Sequence, residues 1–444
     1  MSRSLLFECD PIDQPAAADP VERSTWCALR IRVGNQYASR CWDKTLESER
    51  TNLYVPAFPV AEWIVQNWWV LLNELCSWET VPRSAVGRTQ WEWHQRHCLR
   101  SADSSLMLPL LYLFHDGQSL RVEWQEDLRD SMPNMPCEFI ERGSEQLDPN
   151  VTQDLLAEFI NGVLGRAAQV DDTRVHEMMD QWRAIQAANS EERDFCILAG
   201  RMGVNPYARE EMTDELTRFL EQSTSNPENP LVRDLTEVAR PDSVVQQWSW
   251  LCNVATELEL KSNPVELPFT IPPRSTPPPR FGYHLAHLVR DAANTPRESP
   301  LDSVELAARE VLGRRLRIED RNHVPGRGIR AIVGRSASDG DIVVAGPRPL
   351  RSDSQRFQNA RGLYHAIVTT QDSPRLVNDS FSWDQKASRA FAAELLAPQQ
   401  ALLDRVSPSG ADSSDVESLS REFQASNYVI EKQLQNAGVS LCYE

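Results

Sequence analysis

Gln355-Arg356-Phe357-Gln358-Asn359-Ala360-Arg361-Gly362-Leu363-Tyr364-His365 and, farther on, Lys386-Ala387-Ser388-Arg389-Ala390-Phe391-Ala392-Ala393-Glu394-Leu395-Leu396-Ala397-Pro398 decide the reading of this chain. The first run lies inside a segment with helical character, residues 353–369, and the second begins inside another, residues 383–396, and ends just past it. Ser352 with Gln355 and Ser382 with Gln385 have capping-box spacing at the two starts. Pro398 halts the second helix, because the residue before a proline is steered out of the helical region. In the first helix, positions 361 and 365 are one turn apart and share a face.

Working outward, residues 282–293 and 303–312 read as helices, residues 329–333 and 341–344 as short strands. Ser414 with Glu417 opens a further helix near the end. The clearest boundary is residues 263–279, where seven of 17 residues are proline. Such a run cannot continue a helix or a central strand and behaves as a stiff, extended spacer. Before it, residues 26–33 alternate apolar and polar as a half-buried strand does. Gly34-Asn35 supplies a turn and residues 37–42 a returning strand. Pro59 opens a helix over 60–75 carrying Trp63, Trp68 and Trp69, with Trp78 just beyond. His115-Asp116-Gly117 joins the apolar runs 106–114 and 120–124 as a hairpin. Residues 154–165, 174–188, 191–202 and 210–221 have helical periodicity. The expected architecture is multidomain α+β. It comprises an α+β amino-terminal domain (1–148), a helical middle domain (149–262), a proline-rich linker (263–280) and a carboxy-terminal domain (281–444).

The two quoted helices resemble those of the ImmA/IrrE-type zinc peptidases, in which Arg-Phe precedes a His-Glu-x-x-His motif and a second helix runs from a metal-binding Glu-Ala to Leu-Leu-x-Pro. The order of the elements upstream and residues 423–438 downstream fit as well, so the resemblance covers about 160 of 444 residues. It implies a zincin-like domain. In the motif two histidines grip one zinc ion, the intervening glutamate takes a proton from the metal-bound water, and a carboxylate from the second helix completes the ligands. Here Arg361 stands at the first histidine, Gly362 at the glutamate and Lys386 at the third ligand, leaving His365 alone. Two cations in place of ligands repel a dication, and the general base is missing. The expectation is therefore a catalytically inactive pseudo-peptidase with no metal and no cofactor, in which Arg361 and Lys386 pair with Asp384 or Glu394 where the metal charge once sat. A rearranged metal site from His365, Asp384 and Glu394, or His284 and His287, is the competing reading, and it would make the chain a metallopeptidase cleaving a regulatory protein.

His94, His97 and Cys98 form another metal-like cluster, but no partner cluster follows at zinc-site spacing, so a buried or interface histidine pair is expected. Residues 190–207, with Ser190 as the cap, and 419–434 have the shape of a helix-turn-helix, which keeps a DNA-associated regulator as a further alternative.

Charge bears on partners. The chain has 46 Lys and Arg against 64 Asp and Glu, a formal charge of -18. Between 271 and 361 lie 16 Arg, no Lys and 10 acids, a local +6 that leaves -24 on the rest. Arginine suits planar, bidentate contacts to carboxylates. Arg314, Arg315 and Arg317 are thus candidates for holding an acidic protein surface, while the overall charge disfavours nucleic acid. The family resembled includes regulators acting on partner proteins, often repressors in mobile-element or stress responses, so a protein-interaction role is expected. Residues 5–7 are too short an apolar run for a signal peptide, and 63–72 too short and polar to span a bilayer. Nine cysteines without a CxxC pair read as reduced thiols. A cytoplasmic protein is expected.

Overall fold

The alternation at Trp26–Val33 does form a strand, and it organises the first of two units, Met1–Ser225. This computed structural model describes residues 4–12, 17–76, 88–127, 136–226, 229–261, 266–321, 326–369, 373–407 and 410–442. Trp26–Val33 pairs antiparallel with Leu5–Pro11 on one side and with Gln36–Tyr37 and Leu53–Pro56 on the other. Its inward side chains Cys27, Leu29, Ile31 and Val33 are buried. Leu110–His115 and Leu120–Gln125 make the expected hairpin. Its turn is fixed by Asp116 Oδ1, which accepts from the backbone of Gln118 and Ser119 at 2.9 and 3.0 Å.

The tryptophan-rich helix is broken at Asn67 into Phe58–Gln66 and Trp68–Asn73. Trp63, Trp68 and Trp69 are buried in the core; Trp78 lies outside the described residues. The returning strand is shorter than expected, split into Gln36–Tyr37 and Cys41–Asp43. Helices Pro149–Ala167, Thr173–Ala187 and Ser190–Arg201 do not build a separate core. Leu156, Ile160, Val163, Val175, Met178 and Trp182 join the same apolar cluster as the sheet. Trp182 meets Trp68 edge-on at 5.0 Å, and Phe159 meets Phe7 at 5.0 Å. The middle segment is therefore divided: its helices to 225 belong with the amino-terminal sheet, and the chain from 226 belongs with the second unit.

In the second unit, Asn226–Glu444, a five-stranded mixed sheet forms. Ile329–Ser336 lies inside it, antiparallel to Ile342–Gly346 on one side and to Leu260–Lys261 and Arg375–Asn378 on the other. Leu316–Asp320, parallel to Ile342–Gly346, forms an edge. The helix Ser352–Val368, here the site helix, packs across the sheet, and Trp383–Leu396, the facing helix, packs beside it. Pro278–Ala292 crosses the facing helix closely at Gly282, where an added Cβ would stand 2.4 Å from the Ala387 carbonyl oxygen. Of the spacer, residues 266–277 are irregular, 263–265 lie outside the described residues and 278–280 already belong to the helix Pro278–Ala292; the irregular part does not stand free. Leu267, Phe269 and Ile271 pack against the core of this unit.

Neither capping box of the two decisive helices forms. Gln355 turns away to donate to Pro349 O at 2.7 Å, and Ser382 Oγ accepts from Ser380 Oγ at 3.1 Å. The later helix, Ser413–Phe423, does carry a capping box, made by Asp412 and Asp415 rather than Ser414 and Glu417.

Candidate functional site

The inward face of the site helix presents Arg361, Tyr364 and His365 to the facing helix and to the strand Arg375–Asn378. Arg361 is 5% exposed. Its Nε donates to Ser388 Oγ at 3.1 Å, and its Nη2 donates to Asn378 O at 2.7 Å and Gln385 Oε1 at 2.6 Å. Burial, with Arg389 adding repulsion, pulls the guanidinium down to about 9. Arg361 thus pairs with neither Asp384 nor Glu394. Its contacts run to Gln385 and Ser388, three residues apart on one face of the facing helix, so the helix register aims those two side chains at it. Lys386 is half-buried on the same helix.

His365 is fully buried, and neither ring nitrogen makes a hydrogen bond among the described residues. The amide of Gln385, beside it, donates instead to Leu376 O at 2.6 Å. Burial, and then the Arg375 cation, push the imidazole well below its ordinary value, so it is neutral. Gly362 faces the sheet. A Cβ there would lie 2.6 Å from Val344 Cγ2, so this position has no space for a side chain.

Asp384 is where the charge is concentrated. It accepts from Arg274 Nη2 and Arg375 Nη2, both at 2.9 Å, and from Tyr364 Oη at 3.3 Å. Burial works to raise its carboxyl, but Arg375 and Arg274 outweigh that and hold it well below the usual range. Arg375 is shared. Its Nε and Nη2 donate to Asp234 at 2.8 and 3.0 Å, a bidentate pair from the short helix Pro230–Thr236. Asp234 Oδ2 also accepts from the backbone of Leu376 at 2.9 Å, and its carbonyl accepts from Asn378 Nδ2 at 2.7 Å. That short helix therefore clasps the strand Arg375–Asn378. Sequence reasoning missed Asp234, Arg375 and Gln385, because nothing near them in the chain marks them as partners.

Glu394 belongs to another group: His287 Nε2 lies 2.8 Å from its Oε1, and Gln433 Nε2 donates to its Oε2 at 2.8 Å. Asp384 and Glu394 are ten residues apart on one helix, about 15 Å along the axis. They cannot share an ion, and His284 is exposed. Among the described residues, no group of three or more His, Cys, Asp or Glu is placed to hold a metal. The residues around His365 do not fit zinc, because the cations of Arg375 and Arg361 both act on its ring, where a dication needs anionic or neutral ligands.

His97 is buried, with Nδ1 2.7 Å from Leu113 O and Nε2 3.0 Å from Glu74 Oε2. Burial opposes ionisation of Glu74, yet Arg96 and His97 hold its carboxyl at about 2. His94 packs edge-on against Tyr112, and Cys98 is buried with its thiol pushed up by burial to about 11. Ser190–Arg201 is capped by Asn189, not Ser190, and the next helix begins only at Asp214, too far for a helix-turn-helix. Ser413–Phe423 and Asn427–Asn436 are joined by a short turn through left-handed Gln424. Arg314 and Arg315 are exposed beside the edge strand Leu316–Asp320, whereas Arg317 is engaged by Glu319 and Asp339 at 3.0 and 3.1 Å. No described helix is long and apolar enough to cross a membrane.

Comparison with protein-family models gives no match, and comparison with curated proteins gives none either.

Proposed function

We propose that this chain is a non-catalytic relative of the ImmA/IrrE peptidases whose second unit binds a protein partner. The observation that carries the reading is Arg361. A guanidinium held by Gln385, Ser388 and Asn378 fills the first ligand position beside a neutral His365. Gly362, pressed against Val344, removes the general base as well. The helix bearing Asp234 supports the same conclusion, because it covers the strand edge beside this site. Partner binding is then assigned to the exposed Arg314 and Arg315, which suit acidic protein surfaces.

Elemental analysis of the full chain after mild purification tests the first half. Far less than one zinc per chain is expected, unchanged by His365→Ala. A stoichiometric ion lost with that substitution would sink the reading. For the second half, proteins co-purifying from the native cells should be released by moderate salt and by Arg314→Glu with Arg315→Glu. Retention of the same partners by the double variant would remove these arginines from the interface.

A further inference from the structure

Two thiols in the first unit are placed for covalent chemistry. Cys9 on the edge strand Leu5–Pro11 and Cys27 on Trp26–Val33 bring their sulfurs to 3.3 Å. The register sets Cys27 opposite Pro11 and Cys9 opposite Leu29, a diagonal across the two strands. Cys9 lines a cleft of about 470 Å³ between its strand and the helix Pro149–Ala167. Arg166, from the last turn of that helix, lines the same cleft, and its Nη1 is buried with no hydrogen-bond partner. This guanidinium reaches both thiols and keeps one buried nitrogen unpartnered, so it favours an anion beside the sulfurs.

We propose that Cys9 and Cys27 are a peroxide-oxidisable pair, with Cys9 as the attacking thiolate, Cys27 as the resolving thiol and Arg166 as the positioning cation. The proposal is independent of the reading of the second unit. The two thiols are unequal in the required sense. The hydrogen bond from Cys27, helped by Arg166, lowers Cys9, whereas the bond to Cys9 and burial raise Cys27. Each unit by which a thiol pKa falls raises the reactive thiolate fraction near neutral pH about tenfold. Other thiols are held the other way: burial pushes Cys98 and Cys196 up to about 11 and Cys137 up to about 12.

In the first step the Cys9 sulfur attacks one oxygen of hydrogen peroxide. The O–O bond breaks, hydroxide leaves, and Cys9 becomes a sulfenic acid, oxidised by two electrons as the peroxide is reduced. The Cys27 sulfur then attacks the Cys9 sulfur. The S–O bond breaks, the hydroxyl leaves with the Cys27 proton as water, and the sulfurs close from 3.3 Å to a bond of about 2.0 Å. The product is a covalent tie between the edge strand and its neighbour.

The test treats the reduced full chain with hydrogen peroxide, blocks remaining thiols with iodoacetamide, and maps the peptides without reduction. A Cys9–Cys27 linkage should appear first, with the other seven cysteines still alkylated. A different linkage, or Cys9 still alkylated while others are oxidised, overturns the proposal. Cys27→Ser should let dimedone trap a sulfenic acid on Cys9, and Cys9→Ser should leave Cys27 reduced. Arg166→Gln should raise the pH midpoint for alkylation of Cys9, and an unmoved midpoint overturns the role given to Arg166. Because the linkage is read in the unmodified chain, misfolding of a variant cannot hide the result.

Discussion

Arg361 donates to Gln385 Oε1 at 2.6 Å, so the guanidinium standing where the resemblance expects a zinc-binding histidine is held by a neutral amide. Arg375, close by, is instead fixed by two carboxylates, Asp234 and Asp384. The two buried cations therefore have opposite consequences when removed. Arg361→Met takes away a charge that burial disfavours and should cost no more than about 1–2 kcal/mol, roughly one or two hydrogen bonds. Arg375→Met strands two buried carboxylates and should cost about 3–5 kcal/mol. Urea unfolding of both variants, followed in the second unit, decides it; equal losses would mean that the carboxylates are not what holds this site.

Placing the glutamate that the resemblance expects at position 362 should damage the fold. At Gly362 a Cβ would stand 2.6 Å from Val344 Cγ2. Gly362→Ala should lower stability by about 1–3 kcal/mol, the ordinary range for overpacking, and Gly362→Glu by more. Adding Val344→Ala to Gly362→Ala should recover part of the loss. Thermal melts of the three variants measure this, and an unchanged Tm for Gly362→Ala would show that the strand yields freely.

His365 predicts a pH dependence. Its folded pKa is depressed, so below the unfolded value of about 6.5 the unfolded chain binds a proton that the folded chain refuses. Stability from this residue is complete above that pH and is lost as pH falls through the interval down to the folded value. The loss approaches about 1.4 kcal/mol per pH unit. His365→Gln, neutral throughout, should lack this slope. The difference in unfolding free energy between wild type and variant should shrink or reverse between pH 7 and pH 5; a constant difference would show that His365 titrates normally.

The spacer should be less open to proteases than its proline content implies. Leu267, Phe269 and Ile271 pack on the core, and Arg274 bonds Asp384 at 2.9 Å while lying over the Trp383 ring. Limited proteolysis of wild type should cut slowly within 266–279, and Arg274→Ala should make cutting there several-fold faster. Rapid cutting of wild type with no effect of Arg274→Ala would return the segment to a free linker.

What the sequence determined by itself was local. The strand Trp26–Val33, the hairpin at Asp116, the helices on either side of residue 375 and the irregular spacer follow from periodicity and turn chemistry within a few residues. Gly362, where the resemblance expects a glutamate, was equally plain, because the residue is simply there to be read. Only tertiary structure decided which side chains Arg361 meets. Helix register and packing turned Gln385 and Ser388 toward it, and a spacing carried over from a motif does not encode that rotation. Nor could spacing reveal that Asp234 and Arg375 close on each other across 141 residues. A salt bridge of that kind leaves no local signature, since either residue alone reads as an ordinary surface charge. Burial makes the pairing obligatory, because neither charge can leave water without the other.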